Sequence, residues 1–94
     1  MKTLPEIFRG TERRLIANIV DEAGDPVDPA TVKLFVKPPK GDIVEYAPNN
    51  DELGRFSQVV NFNQVGDWVA RFEAANPNIA RETKQPVTGD KRFD

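Results

Sequence analysis

The sequence predicts an all-β domain, a two-sheet antiparallel sandwich of about seven short strands. Three observations predict it. Apolar and polar residues alternate in several short runs, the period of a half-buried strand. Turn residues, among them eight prolines and six glycines, punctuate the chain at spacings of about 8–12 residues. No window of about 11 residues carries an apolar stripe at helical spacing that is free of Gly and Pro.

The elements follow in order. Residues 1–10 read as an N-terminal arm or edge strand, in which Leu4, Ile7 and Phe8 can pair while Pro5 limits the segment to an edge. Residues 11–20 read as a strand with Leu15, Ala17 and Ile19 on one face and Arg14, Ile16, Asn18 and Val20 on the other. Asp21-Glu22-Ala23-Gly24-Asp25-Pro26 is a dense turn signal. Residues 31–37 give the clearest strand, with Val32, Leu34 and Val36 opposed to Lys33, Phe35 and Lys37. A Pro38-Pro39-Lys40-Gly41-Asp42 turn leads to a short returning strand over 43–46. Residues 47–53 read as a polar loop. A strand over 54–62 places Phe56, Val60 and Phe62 on one face, and a strand over 68–73 turns Trp68, Ala70 and Phe72 inward. Residues 11–79 are thus expected to be the sandwich core. Residues 80–94 hold only Val87 and Phe93 as large apolar side chains, and are expected to form a last edge strand and a polar C-terminal arm.

Composition narrows the function. Ninety-four residues make one domain with a thin core. The absence of cysteine fits folding in a reducing cytoplasm rather than a disulfide-stapled secreted scaffold. The absence of histidine removes the commonest general base and metal ligand. Thirteen Lys and Arg against fifteen Asp and Glu give a net charge of −2, without the basic excess of a nucleic-acid binder. No apolar run approaches the roughly 20 residues that span a bilayer, and residues 1–10 lack the apolar stretch of a signal peptide. These features lead us to expect a complete product, used without secretion, that binds neither nucleic acid nor membrane.

Candidate sites are few. Asp21, Glu22, Asp25 and Asp28 are oxygen ligands at close spacing, but they do not match a calcium-loop pattern and suit a turn. Asn49-Asn50-Asp51-Glu52 reads as a loop tip. The one serine, Ser57, has no histidine to activate it. Gly24, Gly41, Gly54 and Gly66 are isolated in turns and form no phosphate cradle. Trp68 alternates with Ala70 and Phe72 as a core residue does. No catalytic, cofactor or metal residue is expected. The protein-contact candidates lie at the two ends: Leu4, Ile7 and Phe8 in the first, and Arg81, Lys84, Val87, Lys91, Arg92 and Phe93 in the second.

The order of motifs adds a resemblance. Asp21-x-x-Gly24-x-Pro26-Val27-Asp28-Pro29-x-Thr31-Val32-x-Leu34-x-Val36 is followed by Pro38-Pro39-x-Gly41, Gly54-x-Phe56 and Val65-Gly66-Asp67-Trp68-x-Ala70-x-Phe72. Over about residues 12–75 this resembles the short immunoglobulin-like virion structural proteins encoded among the head and neck genes of tailed bacteriophages. The resemblance implies an immunoglobulin-like sandwich and a non-enzymatic component of the virion, made in the host bacterial cytoplasm. Such a component decorates or cements the capsid, or joins head to tail, by contacting major capsid or neck proteins in many copies. Members of that family end on a glutamate-rich stretch and an apolar strand, and residues 81–87 are a poor version of it. A carbohydrate-binding or adhesive module on a tail or fibre is the alternative expectation, and it requires exposed aromatic side chains.

Overall fold

The computed structural model describes residues 2–76 and 78–89. These residues form nine strands: β1 (Lys2–Thr3), β2 (Ile7–Phe8), β3 (Thr11–Asn18), β4 (Thr31–Lys37), β5 (Val44–Tyr46), β6 (Asn49–Glu52), β7 (Arg55–Phe62), β8 (Gly66–Ala75) and β9 (Ile79–Thr88). Two sheets of unequal width pack together. The larger runs β1-β9-β8-β4-β5, with β2 also paired to β9, and the smaller runs β3-β7-β6. All pairings are antiparallel except those of β1 and β2, which run parallel to β9.

The expected alternation sets the core. Leu15, Ala17 and Ile19, with Phe56, Val60 and Phe62, supply the inner face of the small sheet. Leu34 and Val36 of β4 and Trp68 and Ala70 of β8 face them from the large sheet. The Phe62 and Trp68 rings meet edge to face, centroids 5.0 Å apart at 77°, an arrangement favoured by the ring quadrupoles. The Trp68 Nε1 donates to the Gln64 carbonyl at 2.9 Å, which satisfies its one polar atom.

Several expectations are corrected. Residues 49–52 are a strand, not part of a loop: β6 pairs with β7 across a bulge although all four of its residues are exposed. The strand expected over 68–73 extends from Gly66 to Ala75. The largest correction concerns the C-terminal segment. Residues 79–88 are neither an edge strand nor an arm, because β9 lies between β8 on one side and β1 and β2 on the other. Its strand character comes from backbone pairing on both sides rather than from an apolar face.

Pro86 shows how a proline sits inside this sheet. Leu4 N donates to the Lys84 carbonyl and Arg9 N to the Thr88 carbonyl. Lys84 and Thr88 therefore turn their backbone groups toward the N-terminal segment, and by alternation so does Pro86. Its missing N–H falls where the N-terminal segment breaks between β1 and β2 at Pro5. The buried Gln85 side chain bridges that break, donating from Nε2 to the Pro5 carbonyl at 2.8 Å and to the Pro86 carbonyl at 2.9 Å. Two prolines on neighbouring strands thus share one ladder interruption, as the lack of a donor requires.

Candidate binding site

The unequal widths leave β3 at the border of the small sheet, where among the described residues it pairs only with β7. Ile19 N donates to the Gly54 carbonyl. By antiparallel alternation the odd residues of β3 bond to β7, and Glu12, Arg14, Ile16 and Asn18 turn their N–H and C=O groups away from it. The large sheet continues past this border through β9 and β1. Between the β3 border and those strands lies an open cleft of about 490 Å³.

Its floor is apolar, from Leu4, Leu15, Ala17, Ala70 and Phe72, and its walls carry Lys2, Arg13, Arg14 and Arg81. The register explains the cations. Lys2 pairs with Thr83 and Phe72 with Arg81, which places Lys2, Arg81 and Thr83 on the face of the large sheet that Ala70 and Phe72 share. Arg13 lies on the inner face of β3 and donates from Nη1 to Gln85 Oε1 at 3.3 Å. Arg14, on the other face, donates to Ser57 Oγ at 3.1 Å. None of the four cations has a carboxylate partner among the described residues. The one carboxylate that lines the cleft among the described residues, Glu82, lies 3.4 Å from Arg71.

Arg71 belongs to the opposite, solvated face of the large sheet. Its hydrogen bond to Glu73, with help from Glu82, raises its already high pKa. Lys33 with Glu45 and Lys84 with Asp67 continue this charged face. Exposed pairs of this kind contribute little to stability.

The polar clusters singled out in the sequence resolve into structural roles. Asp21 Oδ1 accepts from Ala23 N at 2.9 Å and from Asp25 N at 3.0 Å, closing the turn. Asp28 Oδ1 accepts from Gly54 N at 2.7 Å and from the Asn50 amide at 3.3 Å. Among the described residues no group of three or more acidic, Cys or His side chains is arranged to hold a metal. Ser57 is fully buried on the outer side of β7, donating to Asp51 while accepting from Arg14. It ties three strands together.

The expected contact residues divide. Val87 is a core residue, 4% exposed, and is corrected from a contact candidate to part of the packing. Leu4 and Ile7 pack against the core from the N-terminal segment. Phe8 is half exposed at the end of β2. Lys84 pairs with Asp67 on the solvated face. Of the named set, among the described residues, only Leu4 and Arg81 line the cleft. Lys91, Arg92 and Phe93 lie outside the described residues. Sequence reasoning misses Lys2, Arg13 and Arg14, although the Arg13-Arg14 pair carries a signal: adjacent residues on a strand place one cation on each face.

Among the aromatic side chains Trp68 is buried, Tyr46 is partly buried against the core, and Phe8 is half exposed. No helix among the described residues is long and apolar enough to cross a membrane. No family model matches the chain, and neither a curated protein nor a solved structure matches it.

Proposed function

We propose that this chain is a non-enzymatic, immunoglobulin-like assembly module of a bacteriophage virion. It docks on major capsid or neck proteins in many copies, as a decoration or head–tail junction component, and is made in the host bacterial cytoplasm. Two lines support this reading. The order β3-β7-β6 opposite β9-β8-β4-β5 parallels strands B-E-D opposite G-F-C and C′ of immunoglobulin-like sandwiches. The motif order over about residues 12–75 resembles the virion proteins of that kind.

The observation that carries the binding role is the border of β3, unpaired among the described residues. In the seven-strand arrangement, strand A lies beside strand B. Here the N-terminal segment pairs with β9 instead, and no strand among the described residues takes the place beside β3. A strand added at such a border gains main-chain hydrogen bonds without a large apolar patch.

Quantitative mass spectrometry of gradient-purified particles from the phage that encodes the chain tests the virion reading. A fixed copy number per particle is expected. Absence from particles, with the chain left in the soluble fraction, would overturn it.

A further inference from the structure

Building on that assembly reading, we propose that the β3 border takes one kind of partner: an extended segment of another protein whose every second residue, the set turned inward, includes both acidic and apolar side chains. The segment adds as a strand to the small sheet and lays its inward side chains in the cleft beneath β1 and β9.

The backbone defines the occupant as a strand. Glu12, Arg14, Ile16 and Asn18 present donors and acceptors at the spacing of a ladder, with β7 already holding the other side. The cleft defines the side chains. Its floor of Leu4, Leu15, Ala17 and Phe72 suits aliphatic residues, and Lys2, Arg13 and Arg81 around it suit carboxylates. These cations lack carboxylate partners among the described residues, so an incoming acid meets attraction without first displacing an existing ion pair.

The same charges select against a second copy. Full-length antiparallel pairing of β3 with β3 through its outward residues sets Arg14 opposite Ile16 and diagonal to the second Arg14, and like charges so placed across a ladder are destabilising. Charged side chains on an edge strand commonly serve to prevent self-pairing. Here they also set the sign of the accepted partner.

The test uses capped, fluorescein-labelled peptides, measured by fluorescence anisotropy on the full chain. The Glu-Val peptide has two Glu-Thr-Val-Thr repeats, in which Glu and Val share one face; Gln or Lys replaces Glu in the Gln-Val and Lys-Val peptides of equal length. The Glu-Val peptide is expected to bind, to weaken as salt rises, and to exceed the Lys-Val peptide by at least about tenfold. In Ile16→Pro one outward donor is lost while the bonds to β7 remain, which an edge strand tolerates. That variant, and separately the surface pair Lys2→Glu with Arg81→Glu, should each weaken Glu-Val binding by about tenfold. Lys40→Glu, in the turn after β4, should leave it unchanged. Equal binding of the Glu-Val and Lys-Val peptides would overturn the proposal. So would equal binding of a single-stranded oligonucleotide, or undiminished binding by the charge-reversed pair.

The two readings fail separately. Particles that contain the chain, with amides of β3 exchanging as freely there as in solution, would remove docking at β3 and keep the assembly role. A chain absent from particles that still binds the Glu-Val peptide at β3 would keep the docking site and remove the virion role.

Discussion

Arg13 and Gln85 join the two sheets directly: Arg13 Nη1 donates to Gln85 Oε1 at 3.3 Å, between residues 72 positions apart. The same Gln85 amide holds the N-terminal segment through the Pro5 carbonyl. One buried side chain therefore couples β3, β9 and the strand break at Pro5.

Gln85→Ala should destabilise the domain by about 1–3 kcal/mol, because it leaves polar groups near a buried position without partners. The loss should be local as well as global. Hydrogen exchange at Leu4 and Arg9, whose amides bond to β9, should speed up more than exchange in β4. Equal acceleration everywhere would contradict the role given to Gln85.

Phe62→Ala removes the fully buried ring that meets Trp68. The expected cost is about 3–5 kcal/mol, a large share of the roughly 5–15 kcal/mol of a domain of this size. Trp68→Phe keeps a ring in place but loses the bond to Gln64, and should cost less. Urea unfolding monitored by far-UV circular dichroism measures both.

Gly54→Ala tests the junction between β6 and β7. Gly54 has φ +76°, and an added Cβ would lie 2.6 Å from the Ile19 carbonyl oxygen and 3.0 Å from Val27 N. Both the left-handed backbone and the contact oppose a side chain. A loss of at least about 2 kcal/mol is expected. Asp28→Ala, which removes the acceptor for Gly54 N, should cost about 1 kcal/mol. Thermal melts of the two variants give the comparison, and an unchanged melting temperature for Gly54→Ala would contradict the geometry.

Deleting residues 79–94 should unfold the domain rather than detach an arm. The deletion removes β9 from the interior of the large sheet and Val87 from the core. Loss of the cooperative unfolding transition is expected. A folded truncated chain would contradict the topology.

Four strands are legible in the sequence for one reason. β3, β4, β7 and β8 each bury alternate apolar residues, so packing writes its period into the chain. Trp68 is legible as core on the same ground: Ala70 and Phe72 share its face, and the structure buries it. β9 is not legible because between Ile79 and Val87 its inner face reads Arg81, Thr83 and Gln85, and the first two face the cleft rather than the opposite sheet. β6 is hidden because Asn49, Asn50, Asp51 and Glu52 are all exposed and pair with β7 without an apolar face to mark the strand. The cleft depends on the N-terminal segment choosing β9 over β3, a long-range pairing that no local pattern records.

The docking site requires β3 to have one paired side and one free side. Amide hydrogen exchange by NMR on the isolated chain tests this residue by residue. The amides of Arg13, Leu15 and Ala17, which face β7, should be protected close to the global limit, while those of Glu12, Arg14, Ile16 and Asn18 should exchange far faster. Protection of the second set equal to the first, in the isolated monomer, would show that the border of β3 is already covered and would contradict the docking site.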